Sequence, residues 1–325
     1  MPDRVAQPPG PNLVGERLSI RLRDPEGGFR DIVGILESET NLRKRDGTLV
    51  EFSPDRVAVW RKVVPALQTA GKGAPLSLRI REMELAAAQT WPPRIEEHLG
   101  EWTLRASGKY TMRANSVLVM GDPGIDLDSA LDSVVTFYKS HGLSPAMHVP
   151  LPTYQDLDGA LASRGWSKTT EAWVMVKDIE DSIIEEILGN VWSISSSFDD
   201  EWLTLQNDSG VAEIMRSFPA HYASLKIKGD LVALGRAANC EDWTVLTRLF
   251  VRPDHRGASI GRELVQRLLR AARESGATKA LLQVDSKNAA AIRVYESLGF
   301  RKHHAYCYRV LQDNPKGQDL NGGNC

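Results

Sequence analysis

The chain has 325 residues, 42% hydrophobic and 25% charged, proportions that exclude a disordered, collagen-like or coiled-coil protein and leave room for two or three cores. With 40 basic against 42 acidic residues the formal charge is −2, so no global cationic field draws in nucleic acid or an anionic surface, and any anion site must be local. No apolar run approaches the ~20 residues that cross a bilayer, and the first residues lack a secretory signal's apolar region, so the expectation is a cytoplasmic protein with neither membrane nor nucleic-acid partner.

Residues 1–13 are Pro-rich and polar and read as disordered. Between 14 and 66, the runs LSIRLR, FRDIVGILES, TLVEF after an Asp46–Gly47 turn, and RVAVWRKVV alternate as short strands do. Their density resembles a small SH3-like or Tudor-like β-barrel. Arg43, Lys44 and Arg45 beside the turn read as a solvated hairpin tip. Residues 67–75, with Gly71, Gly73 and Pro75, read as a linker. From 76 to 178 helices and strands mix: helix IREMELAAAQTW, strands WTLRAS and YTMRANSVLVM, helix LDSALDSVVTFYKSH ended by Gly142, strand AMHV, helix YQDLDGALASRG and strand EAWVMVK.

The block from 191 to 311 opens on an acidic stretch, Asp199 to Glu201, then a helix VAEIMRSFPAHYA and strands ASLKI, DLVALGRA and WTVLTRLFV. Helix GRELVQRLLRAARES ended by Gly276, strand KALLQV, helix NAAAIRVYESL ended by Gly299 and strand HAYCYRV complete it. Residues 312–325 are polar, Gly-rich and read as a flexible tail. Cys240, Cys307 and Cys325 are far apart without CxxC spacing, so they read as reduced thiols. His303 and His304, adjacent on a strand, should face opposite ways, which speaks against joint metal binding; no metal is expected.

The most informative stretch is VRPDHRGASIGREL, where an apolar strand turns into an amphipathic helix with Leu264, Val265, Leu268, Leu269 and Ala272 on one face. The unpaired amides of its first turn and the positive end of the dipole form a phosphate cradle. Gly257 and Gly261 allow close approach, and Arg252, Arg256 and Arg262 add positive charge against Asp254. Neither GxxxxGK[ST] nor GxGxxG is present, which excludes the P-loop and the dinucleotide fingerprint. Further on, NAAAIRVYESLGF places Asn288 and Tyr295 seven residues apart, two helical turns, on one face.

Together these segments resemble the GCN5-related N-acetyltransferases, in which (Q/R)xxGx(G/A) cradles the pyrophosphate of acetyl-CoA and NxxAxxxYxxxGF follows. Arg256, Gly257, Ile260 and Gly261 match; Ser259 stands where that family usually has glycine. The resemblance implies acetyl-CoA held by Arg256, Gly257, Ala258, Ser259, Ile260 and Gly261, by backbone at Leu249, Phe250 and Val251, and by Asn288. It gives Tyr295, near the coenzyme sulfur, the role of general acid.

An internal repeat enlarges this reading. Gly142 and Gly276, and RGW at 164–166 and LGF at 298–300, are related by one offset of 134 residues without a gap. At that offset Arg256, Ile260, Gly261, Arg262 and Tyr295 fall on Asp122, Asp126, Leu127, Asp128 and Leu161. Carboxylates replace the cationic cradle, so the copy at 76–178 should not bind acetyl-CoA and should instead pack on the active copy. The expected fold class is α+β: a small SH3-like barrel at 14–66, a degenerate acetyltransferase-like domain at 76–178 and a catalytic one at 191–311. That arrangement resembles actinobacterial histone or protein acetyltransferases.

The implied function is acetyl-CoA-dependent acetylation of a primary amine, protein lysine or a small amine, by direct attack on the thioester. Two alternatives stay open: an amino-acid acceptor as in N-acetylglutamate synthases, with Arg248 a candidate cation, and a non-catalytic acyl-CoA-binding regulator. TVLTRLFV carries no carboxylate to serve as base; Glu241, Asp242 and His221, the last expected on a helix, are the candidates.

Overall fold

Alternation along the N-terminal strands puts Leu18, Ile20, Leu22, Ile32 and Leu36 on a buried face and leaves charged residues outside. The strands are β1 (Arg17–Arg23), β2 (Phe29–Ser38), β3 (Asn41–Arg43), β4 (Leu49–Glu51) and β5 (Val57–Lys62). They pair in the antiparallel order β4-β3-β2-β1-β5 around a core completed by Leu42, Phe52 and Val57. The expected barrel is not closed: among the described residues β4 and β5 do not pair, and β3 and β4, at three residues each, are too short to complete a cylinder. Residues 8–13, expected to be disordered, include a 3-10 turn at Pro11–Leu13, with Leu13 packed on that core.

This computed structural model describes residues 8–25, 27–44, 47–63, 69–179, 191–206, 209–257 and 259–312. The sheet just given belongs to one compact unit, Met1–Gln68, and the rest to another, Thr69–Cys325. Of the expected linker, the described part is anchored: Ala70 is buried, its amide donates to Asp178, and its carbonyl accepts from Arg301. Arg45, Asp46, Ala258, residues 1–7 of the expected N-terminal stretch and residues 313–325 of the expected C-terminal tail, Cys325 included, lie outside the described residues.

In the second unit the elements are α1 (Leu76–Gln89), β6 (Ile95–Leu99), β7 (Trp102–Ala106), β8 (Val117–Val119), α2 (Leu127–Ser140), β9 (Ala146–Leu151), α3 (Gln155–Ser163) and β10 (Ser167–Asp178). After residue 191 come β11 (Trp192–Ser195), α4 (Asp200–Thr204), α5 (Ala212–Arg216), β12 (His221–Ile227), β13 (Asp230–Cys240) and β14 (Trp243–Val251). The chain then forms α6 (Ile260–Glu274), β15 (Lys279–Asp285), α7 (Ala289–Ser297) and β16 (Arg301–Val310). The offset of the sequence repeat relates α3 to α7 residue for residue, and α2 to all but the first residue of α6.

All these strands form one sheet, ordered β11-β12-β13-β14-β15-β10-β16-β9-β8-β7-β6. The last strand of each copy is exchanged: β10 pairs with β15 of the second copy, and β16 pairs with β9 of the first. Helices α6 and α7 cover one face through Leu264, Leu268, Ile292 and Leu298. On the other face α1, Trp91, α4 and α5 pack against Tyr222, Leu234, Val245 and Leu281.

Three local expectations change. YTMRANSVLVM is a 3-10 turn at Met112–Ala114 followed by the short β8, not one strand. The helix expected from Val211 shrinks to α5, since Pro219 cannot continue it, and His221 lies on β12. The bulge in β16 opposite Val174 and Met175 undoes the alternation at His303 and His304, whose Nδ1 atoms lie 2.9 Å apart.

Candidate active site

Strands β14 and β15 run parallel and pair only from Trp243 with Lys279 to Leu246 with Leu282. Beyond that point β14 stays with β13 and, among the described residues, no strand pairs with Thr247–Val251 on the side that faces β15. A bulge at the apex sharpens the parting: Arg248 has φ 58°, and the register slips between Leu234 and Arg236. Gly235 leaves room there: a Cβ would stand 2.9 Å from side-chain carbons of both Leu249 and Leu268 and would make those leucines shift. Leu249, Phe250 and Val251, each half-buried, line this split on the side where β14 has no strand partner among the described residues. The Val251 carbonyl accepts from Arg256 Nε at 3.0 Å.

At the open end of the split, α6 begins. Its N-cap, Ser259, is left-handed at φ 59° and makes no side-chain cap, so among the described residues the first-turn amides have no capping acceptor. A Cβ on Gly257 would meet nothing within 4 Å, and one on Gly261 only Val251 Cγ2 at 3.8 Å. The protein's own packing therefore leaves both glycines open, the space a phosphate would fill. Ile260, buried, anchors the turn.

The surrounding cations are partly committed. Arg252 is clamped on Asp254 at 2.7 Å, and His255 Nδ1 lies 3.0 Å from the same carboxylate, which His255 and Arg252 hold below its usual pKa. Arg262 donates to Ser297 Oγ at 3.1 Å, while Arg256 stays exposed at the loop.

Asn288 caps α7, its Oδ1 accepting from the Ala291 amide at 3.1 Å. Tyr295, half-buried, packs on the α6 side of the core with its ring edge-on to Phe300 at 6.1 Å.

The three candidate bases are not brought to the split. Glu241 and Asp242 lie at the far end of β14, where Asp242 pairs with Lys279 Nζ at 2.7 Å, five residues or about 16 Å of strand from Thr247. His221 Nε2 lies 2.9 Å from Ser275 Oγ, beside the C-terminus of α6 and not its N-terminus.

The matching helix terminus in the first copy is closed by its own carboxylates. Asp126 Oδ1 accepts from the Ser129 amide at 3.0 Å, Asp122 Oδ1 from the Gly124 amide at 2.6 Å, and Asp128 pairs with Arg164 at 2.7 Å. An anion would meet Asp126 where α6 offers bare amides.

Sequence reasoning missed Arg236. On the α1 side of the sheet Tyr222, Arg236 and Thr247 form one cross-strand row, with Thr247 the first β14 residue past the last pair with β15. The only signal was a Gly-Arg pair inside an apolar strand.

A family model described as "Probable histone acetyltransferase Rv0428c C-terminal" matches residues 78–309. An "Uncharacterized N-acetyltransferase YobR" of Bacillus subtilis is 31% identical over 245 residues, covering 71% of this chain and 98% of that protein. Among solved structures, a GCN5-related N-acetyltransferase from Kribbella flavida superposes with a TM-score of 0.59 at 16% identity, over 73% of this chain and 96% of that one. A tandem GNAT protein from the clavulanic acid biosynthesis pathway gives 0.51 at 12% identity, over 76% and 90%.

Proposed function

The chain belongs to the acetyltransferase family described as Rv0428c C-terminal, with the GCN5-related fold, and from that premise we propose that it transfers the acetyl group of acetyl-CoA to a primary amine. One observation carries this reading: the start of α6, without a side-chain cap from Ser259 and with open glycines, stands at the mouth of a split where β14 has left β15.

Bound acetyl-CoA supplies an electrophilic thioester carbonyl. Gly257, Ala258, Ser259, Ile260 and Gly261 hold its pyrophosphate with main-chain amides, and Arg256 adds charge. The free edge of Leu249, Phe250 and Val251 aligns the pantetheine arm as an added strand would, and Asn288 adds an amide beyond its cap. The neutral amine forms the new C–N bond, the C–S bond breaks, and Tyr295 protonates the departing thiolate. Since Glu241, Asp242 and His221 lie away from the split, the amine loses its proton to water. The 76–178 copy, self-capped by Asp126, has no role in binding the coenzyme.

The acceptor is a protein lysine or a small amine. The acidic stretch does not decide between them, because Asp199 caps the Trp202 amide at 2.9 Å and Glu201 pairs with Lys226. Coenzyme A release from acetyl-CoA over a panel of histone-tail peptides, small amines and amino acids tests the proposal. Turnover on an amine is the expected result; saturable acetyl-CoA binding without turnover on any amine would make the chain an acyl-CoA-binding regulator instead.

A further inference from the structure

Arg236 is fully buried and belongs to none of the ion pairs among the described residues. Its Nε lies 3.4 Å from the Tyr222 hydroxyl and its Nη2 3.3 Å from the Phe218 carbonyl, while Nη1 has no hydrogen-bond partner among the described residues. Its guanidinium lies 5.5 Å from the Trp91 ring and 5.9 Å from the Tyr222 ring. Half-buried Arg113 sits over the same indole at 5.7 Å, so a charge of the same sign shares this ring with Arg236. An arginine cannot discharge itself by losing a proton, and a buried charge without a counter-ion is costly.

The place matters as much as the charge. Arg236 pairs in register with Thr247, where β14 parts from β15, and the Thr247 hydroxyl and Trp91 Nε1 are likewise buried without partners among the described residues. Across the split Gln283 accepts from Arg113 Nε at 2.8 Å. Glu84, whose Oε2 lies 3.4 Å from Gln283 Nε2, is already engaged by His304 at 2.9 Å and His148 at 3.1 Å. Arg236, Thr247 and Trp91 thus bring buried donors together at the apex of the split, with no acidic partner for Arg236 among the described residues.

We propose that Arg236 receives a carboxylate of the acceptor, which makes the acceptor class an amino acid rather than a protein lysine. The inference rests on the acetyl-transfer reading and narrows its substrate. A carboxylate on the guanidinium completes the charge that folding left open, and its amine then stands at the apex of the split.

The test compares free L-amino acids with their α-carboxamides and with lysine-containing peptides in the coenzyme A release assay. Removing one partner of a buried charge pair is expected to cost about 100-fold in kcat/KM, so the preferred amino acid should exceed its amide by that factor. In Arg236→Met the acid-to-amide ratio should fall to about 1, while Arg236→Lys should keep part of it. Equal rates for acid and amide in the wild type, or a ratio unchanged in Arg236→Met, overturn the proposal; the wild-type comparison stands even if that variant does not fold. Turnover confined to lysine peptides overturns the carboxylate site and leaves acetyl transfer intact. If no amine is turned over, calorimetry of N-acetyl-L-amino acids against their amides decides: tighter binding of the acid supports the site, and no preference overturns it.

Discussion

Ser259 holds a backbone conformation that glycine adopts at no steric cost, and the site keeps it without a side-chain cap in return. Ser259→Gly should therefore raise stability by about 1 kcal/mol, read by denaturant unfolding, with acetyl-CoA binding retained. Gly261 makes the opposite case. Its absent side chain is not required by neighbouring protein atoms, so Gly261→Glu should fold with an unchanged melting temperature yet lose acetyl-CoA affinity more than about 100-fold, because bulk and negative charge enter the cradle. Retained affinity in an equilibrium titration would remove the loop from the site. Tyr295→Phe should lower kcat by about 100-fold while leaving the acetyl-CoA Kd nearly the same, and an unchanged rate across pH would take Tyr295 out of the chemistry.

Among elements, α3 is fastened to β16 by Asp158, whose carboxylate takes Arg309 through Nε at 2.7 Å and Nη2 at 3.0 Å and also accepts from the Cys307 thiol. The Arg309 bond first, against the effect of burial, holds Asp158 below its usual pKa, and burial with the adjoining carboxylate pushes Cys307 up to about 12. Asp158→Ala strands a largely buried guanidinium and should cost about 3 kcal/mol in chemical unfolding. The helices were readable because their signals are local: apolar spacing and a terminal glycine bounded α2, α6 and α7 to within a residue or two. The turn from β14 into α6 was readable for the same reason. What stayed hidden depends on distant partners: the open β4 edge, the exchange of β10 and β16, the bulge that brings His303 to His304, and the burial of Arg236 by Trp91 from another copy. The candidate bases failed likewise, since nearness along the chain to β14 said nothing about which end of that strand opens.

For the Thr69–Cys325 unit as a whole, buried His148 and half-buried His303 set a direction for its response to acid. Burial, then the His304 and Arg79 charges, lowers His303 to about 4, and burial outweighs Glu84 in lowering His148. The unfolded chain binds protons at these histidines near pH 6.5, before the folded one does, so stability is complete above that pH and is lost as pH falls from about 6.5 toward 4. Melting curves at pH 7.0, 5.5 and 4.5 should show a steadily falling midpoint; a flat profile across that range would mean that the folded protein takes up these protons freely. The strand exchange bears on synthesis as well as on the finished sheet. Both partners of β10, β15 and β16, lie about 100 or more residues later in the chain. At about 5–20 residues per second of translation, a strand carrying Ala172, Val174 and Val176 spends roughly 5–20 s with both edges bare. The nascent chain is thus a natural client for a holding chaperone over that interval, and release from the ribosome before β16 leaves a sticky edge instead of a smaller domain.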